Sequence, residues 1–301
     1  SPFPEVAAEL QASRQSPRLP GFAIPAGVEV TADAACLSSA TMVVCAIPTQ
    51  FIRTTFARIG GAMPAGVPVV SVAKGIESST FRLPADILIE TVRADLPVVA
   101  LSGPTIAAEL AQRLPALLVA ASPERALAER VQVAFTSPWT KVYQSNDLVG
   151  VELAGACKNV IAIAAGVCDG LRLGTNAKSA LLARGLSEIS RVGVALGGKV
   201  ETFFGVAGAG DLATTCFAPE GRNRSFGERL GRGESVKHAL GATLSVVEGV
   251  PTSRALMQLA RSHGIDLPIC EAVEAMVFEA LPPREALAQL MSRPSTVERI
   301  G

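Results

Sequence analysis

Histidine is scarce in this sequence: of 301 residues only His238 and His263 are histidines, and neither lies near a second histidine or a cysteine. That argues against a zinc site and against any triad that needs a histidine base. Paired cysteines are missing too. Cys36, Cys45, Cys157, Cys168, Cys216 and Cys270 are scattered with no C-x-x-C, and read as reduced, mostly buried small hydrophobes of a cytoplasmic protein. Neither sign of charge is in excess: 27 Lys and Arg balance 27 Asp and Glu, which speaks against a nucleic-acid partner. A long apolar run is lacking as well. The longest stretch without a polar side chain in the most apolar segment, Val160–Cys168, falls far short of the roughly 20 residues of a membrane span. The opening Ser1-Pro2-Phe3-Pro4 leads into an Ala/Glu-rich helical pattern rather than a signal peptide, and it lacks an initial methionine, so the chain need not start where the gene does.

What is present is a core: 49% apolar against 18% charged residues excludes disorder and leaves material for two domains. Short apolar, β-branched runs at Met42–Ile47, Val67–Val72, Pro97–Ser102 and Ala116–Val119 alternate with helical patterns. This is the signature of βαβ units and a parallel sheet covered on both faces. Ligands of such sheets sit beyond the carboxyl ends of the strands, which here close on Pro48, Lys74-Gly75 and Ser102-Gly103-Pro104. After Lys141-Val142-Tyr143 the pattern turns helical, with long helices over Asn146–Cys168 and Asn176–Leu196 and shorter ones near Arg222–Leu230, Val236–Leu240, Glu248–His263, Cys270–Glu279 and Arg284–Met291. The expected organisation is an α/β domain over residues 1–145 and an all-helical domain over 146–301.

Four constellations could carry chemistry. Between Val151 and Cys168 the only polar side chains are Glu152, Lys158 and Asn159, so Lys158 is buried with a depressed pKa. It is either an acid/base group or half of a structural pair with Glu152 or another partner, and spacing weighs the two equally. Lys74 can aim into the cleft or be a solvated loop lysine. Thr105, at the helix opening over Ile106–Arg113, can help to hold an oxyanion or simply cap the helix. Gly221-Arg222-Asn223-Arg224 offers two guanidiniums and an amide at a helix start, a phosphate clamp or an exposed basic helix end. Gly208-Ala209-Gly210-Asp211-Leu212-Ala213 fits the dinucleotide fingerprint G-x-G-x-x-A but follows no strand, so it is read as close helix packing that aims Asp211.

Taken in order, Ser71–Glu77 (Ser-Val-Ala-Lys-Gly-Ile-Glu), Leu101–Thr105 (Leu-Ser-Gly-Pro-Thr), Val151–Val160, Gly174–Leu181, Ala207–Leu212 and Gly221–Arg224 resemble the bacterial NAD(P)-dependent glycerol-3-phosphate dehydrogenases along the whole chain. The resemblance implies a Rossmann-like domain followed by a helical domain of the 6-phosphogluconate-dehydrogenase type. It implies reversible hydride transfer between NAD(P)H and dihydroxyacetone phosphate, giving sn-glycerol 3-phosphate for phospholipid synthesis, in a cytoplasmic enzyme without a membrane span, and it suggests a homodimer. By position, Lys158 matches the family's proton donor and acceptor. Lys74, Gly103, Thr105, Asp211, Gly221, Arg222 and Asn223 match substrate contacts. Lys74, Ala107, Arg222, Val246 and Glu248 match cofactor contacts, and no metal is implied. The family opens on a strand and a G-x-G-x-x-G loop; neither is in this sequence, so the chain looks like a member without its first βα unit and is expected to hold dinucleotide weakly by itself. Gly221 stands where a serine is usual, replacing a hydroxyl with a backbone N–H. Two other readings stay open: a non-catalytic shortened homologue acting as a binding or dimerisation module, and a related hydroxyacid or phosphogluconate dehydrogenase.

Overall fold

A computed structural model describes residues 3–243, 245–294 and 297. A short helix, Pro4–Ser13, precedes a small hairpin of β1 (Gln15–Ser16) and β2 (Leu19–Ala23). The main sheet has five strands in the order β3-β4-β5-β6-β7, namely Val43–Cys45, Val69–Ser71, Val98–Ser102, Ala116–Ala121 and Thr140–Ser145. The first three run parallel, and their central strands β4 and β5 are buried at every position, as sheets covered on both faces require.

Two features depart from the sequence reading. The sheet is mixed: β6 runs antiparallel to β5, with Ala100 opposite Ala121. The connection between them, residues 103–115, holds a helix of only five residues, Ala107–Ala111, and so lacks the long crossover helix of a βαβ unit. The chain therefore doubles back beside β5. The last strand, β7, was invisible to an apolar-run criterion because it is an edge strand in which Val142 is the one buried residue.

The second half winds around the helix Leu148–Gly170, in which every residue from Gly150 to Val167 is buried. Among the described residues it is the one helix long and apolar enough to cross a membrane, but 83% of its most apolar window is buried inside the protein. It is a core helix. Around it pack Gly174–Ala195, Asp211–Phe217, Arg222–Gly231, Gly249–Ser262 and Pro268–Phe278. Arg222–Gly231 lies closest. A Cβ on Gly227 would sit 1.9 Å from the Ile163 carbonyl oxygen, and one on Gly166 1.9 Å from that of Arg224, so these glycines bring the two helices into backbone contact. Large aliphatic and aromatic side chains of this core, among them Ile161, Ile163, Ile189, Phe203 and Leu256, are completely sequestered from water.

Candidate active site

The site is assembled where the sheet's carboxyl edge meets the middle of the core helix. Gly103, directly after β5, has a φ of +146°, and a Cβ there would lie 2.5 Å from the Leu117 carbonyl oxygen, so both backbone and space demand glycine. Its carbonyl accepts hydrogen bonds from Lys74 Nζ at 3.0 Å and Thr105 Oγ1 at 3.1 Å. The Thr105 hydroxyl is thus turned back on Gly103; the short helix beyond it starts from Ile106 with no side-chain cap, which removes the capping reading. Lys74 reaches inward across Gly155 of the core helix, where a Cβ would meet its Cγ at 3.4 Å.

Asp211 is the hub. It begins the helix Asp211–Phe217, into which the π-helical turn Val206–Gly210 runs directly, and is 1% exposed. One oxygen accepts from Lys74 Nζ at 2.7 Å and the other from Lys158 Nζ. Lys158 Nζ also donates to Thr215 Oγ1 at 2.6 Å, one helical turn after Asp211 and therefore on the same face. The Thr215 hydroxyl in turn donates to the Asp211 carbonyl at 2.7 Å. Burial, reinforced by the like charge of Lys74 and opposed by Asp211, pulls the Lys158 ammonium down to about 7. Glu152 is not the partner of Lys158. The six-residue spacing puts it on another face, where it accepts from the Ala85 amide at 2.9 Å, and burial pushes its carboxyl up to about 8.

A chain of amides ties this cluster to the next element. Asn159 Nδ2 donates to the Lys74 carbonyl at 3.1 Å, Asn223 Nδ2 to Asn159 Oδ1 at 3.0 Å, and the Gly249 amide to Asn223 Oδ1 at 2.9 Å. Arg222 projects from its helix start to the surface and donates to the Val246 carbonyl at 3.1 Å. Beside it, Glu248 holds a buried Oε2 with no partner; it and the equally unpartnered Thr49 Oγ1 both crowd Gly75, whose added Cβ would meet them at 3.1 and 2.8 Å. Burial raises the Glu248 carboxyl.

Of the residues singled out from sequence, Lys74, Gly103, Thr105, Lys158 and Asp211 converge directly, while Asn223 joins through Asn159. Arg222, Val246 and Glu248 form an adjoining rim. Ala107 opens its five-residue helix exposed to solvent, and its methyl adds no polar contact. Two details of the basic turn change. Gly221 spends its N–H on the Ala218 carbonyl at 3.1 Å, so it does not replace a serine hydroxyl. Arg224 faces away, with Nε 2.7 Å from Asp169 and Nη1 3.2 Å from Glu228, leaving one guanidinium for a clamp. Sequence reasoning missed Thr215 and Thr49. The four-residue step from Asp211 could have flagged the first, and the position just after Pro48 at a strand's end the second.

With this geometry in hand, comparison with known proteins is direct. The family described as NAD-dependent glycerol-3-phosphate dehydrogenase matches through its N-terminal model at residues 2–128 and its C-terminal model at residues 147–288. The chain is 42% identical over 301 residues to the glycerol-3-phosphate dehydrogenase [NAD(P)+] of Thermobifida fusca, spanning 99% of this chain and 90% of that protein. It is 40% identical over 294 residues to that of Geobacter sp., spanning 96% and 88%. The crystal structure of glycerol-3-phosphate dehydrogenase from Coxiella burnetii superimposes with a TM-score of 0.92 at 33% identity, over 96% of this chain and 89% of that one.

Proposed function

This chain belongs to the NAD-dependent glycerol-3-phosphate dehydrogenase family, and from that premise we propose that Lys158 serves as proton donor and acceptor in the exchange between dihydroxyacetone phosphate and glycerol 3-phosphate. The chain is an oxidoreductase using NAD or NADP. The observation that carries the assignment is Lys158 itself: an ammonium buried in the core, held between Asp211 and Thr215, and lowered to about 7.

The residues present fit a dinucleotide at the sheet's carboxyl edge, where Glu248 and Thr49 leave buried oxygens unpartnered and Arg222 stands at the rim. Lys74, Ala107, Arg222, Val246 and Glu248 would hold it, and when bound its nicotinamide supplies the hydride. The protein's own part is proton transfer and charge control. As negative charge grows on the substrate's carbonyl oxygen, Lys158 Nζ delivers a proton to that oxygen and becomes a neutral amine. Asp211 is not stranded by this loss, because Lys74 stays on its other oxygen at 2.7 Å. In the oxidation direction the neutral amine takes the hydroxyl proton back. With Lys158 near 7, both forms are available at neutral pH.

Arg222 and the first amides of its helix are proposed to take the phosphate, with Gly103, Thr105 and Asn223 shaping the rest of the pocket. Glycerol 3-phosphate for phospholipid synthesis, a cytoplasmic location and a homodimer belong to the same reading. The test compares dihydroxyacetone phosphate with unphosphorylated dihydroxyacetone. With dinucleotide held saturating, because Arg222 also stands at its rim, Arg222→Ala should lower kcat/KM for the phosphorylated ketone by roughly 10- to 100-fold, the equivalent of about 1.5–3 kcal/mol for a charge-assisted bond, and leave the other nearly unchanged. Equal losses on both compounds would move the phosphate elsewhere.

A further inference from the structure

The helix pair that carries Lys158 and Arg222 ends, at its other extremity, in a second basic depression. Leu148–Gly170 and Arg222–Gly231 run side by side and finish together; a Cβ on Gly170 would lie 2.8 Å from Gly231 Cα. At that point Arg172, Arg232 and Arg284, all three exposed, line with Asp169, Leu171 and the backbones of Gly170 and Gly231 an open depression of about 470 Å³. That is within the roughly 300–1,000 Å³ range of small-ligand sites. Asp169 lies eleven residues beyond Lys158 on the core helix, about 16 Å away along its axis, so this is no extension of the Lys158 cluster.

Its charges are out of balance. Asp169 is the one acid in the lining and is already bound by Lys178 Nζ at 2.8 Å and Arg224 Nε at 2.7 Å. Arg232 is paired with Glu228. Arg172 and Arg284 have no side-chain hydrogen bond or ion pair among the described residues. Helix dipoles explain part of this: Arg172 and Arg232 follow the carboxyl ends of two helices, where a cation is favoured. They do not explain Arg284. It stands in the first turn of Pro283–Ser292, where the dipole opposes a cation, and it comes from a third element to face the same space.

We propose that this depression is a second anion site, taking a small soluble oxyanion of the phosphate class in the fork of Arg172 and Arg284. Guanidiniums match such an anion geometrically as well as in charge. The proposal does not rest on the assignment of the Lys158 site.

The experiment is thermal unfolding of the full chain in rising inorganic phosphate, at constant ionic strength kept with sodium chloride. A ligand that binds only the folded state raises the melting temperature in a concentration-dependent way. The Arg222→Ala protein should keep a phosphate-dependent rise, and adding Arg172→Ala and Arg284→Ala to it should remove at least half of that rise. A rise abolished by Arg222→Ala alone, kept in full by the triple variant, or reproduced by chloride would overturn the site. If the multiple variants lose their helical circular dichroism, Arg284→Gln alone is titrated with phosphate by calorimetry. Its dissociation constant should be at least fivefold weaker than the parent's, and an unchanged constant overturns the proposal. Arg284-dependent binding to vesicles of anionic phospholipid, with no response to free phosphate, would overturn the soluble-ligand assignment.

Discussion

Two aspartates in this protein each sit between two cations, and both triads draw one member from the core helix Leu148–Gly170. Asp211 lies between Lys74 and Lys158, and Asp169 between Lys178 and Arg224. As drawings they are alike. They differ in water and in charge balance. The Asp211 side chain is 2% exposed against 23% for Asp169. Around Asp211 two ammoniums share one carboxylate in a dry space, so the deeper one is pressed toward neutrality and Lys158 falls to about 7. Around Asp169 the arginine has a second acid, Glu228, at 3.2 Å, and the Lys178 ammonium lies over the Phe217 ring at 4.8 Å. Each cation of this triad has a further partner of its own. An ion triad becomes a candidate for proton transfer when one cation is surplus and buried, and when the remaining partner keeps the carboxylate satisfied after the proton leaves.

The largest effect expected from this contrast is on turnover at Lys158. Lys158→Met should keep the fold, since methionine suits the apolar helix and Asp211 retains Lys74. It should lower kcat by about a thousandfold or more, as loss of a positioned acid and its field does. Retention of more than about a tenth of parental turnover would make Lys158 a structural cation and erase the distinction between the two triads.

The matching change in the other triad should act on stability instead. Asp169→Asn leaves Lys178 and Arg224 short of a carboxylate in a partly buried setting. Because Asp169 is about a fifth exposed, the cost should fall below that of a fully buried broken pair, at about 1–3 kcal/mol. Turnover should stay within roughly threefold. Denaturant unfolding together with steady-state kinetics separates the two, and a tenfold fall in kcat would bring the second triad into the reaction.

How far the sequence could be read follows from which facts are local. The runs that became β3 to β6, and the apolar core helix, are continuous features of composition and stood out. β7 did not, because with Val142 alone facing inward it has no period to detect. The reversal of β6 goes with a connecting helix of only five residues, shorter than the sequence pattern over Ile106–Arg113 indicates. At the site, Lys158 was legible as a lone ammonium in an apolar helix. Its partner was not: Asp211 lies 53 residues away, and Glu152, the nearest acid in sequence, proved to cap a different helix. The role of Arg224 was hidden for the same reason, since Asp169 meets it only through helix packing.

Glu152 offers the subtlest test, because it should leave turnover alone and change only how stability varies with pH. Burial raises its carboxyl from 4.5 to about 8, so between those values the folded protein holds a proton that the unfolded chain releases. Stability contributed by this group is therefore complete below pH 4.5 and is lost as pH climbs through 8. Lys158 tilts the other way: lowered from 10.5 to about 7, it makes the folded state bind fewer protons than the unfolded chain over that range, so stability rises with pH there. Glu152→Gln keeps an oxygen for the Ala85 N–H and removes the first slope alone. The variant should match the parent near pH 5 and exceed it at pH 9 by on the order of a few kcal/mol. Denaturant unfolding at pH 5, 7 and 9 reads the difference. Parallel profiles for parent and variant would mean that Glu152 stays ionised in the folded protein, and that burial in this helix depresses a lysine without raising an acid.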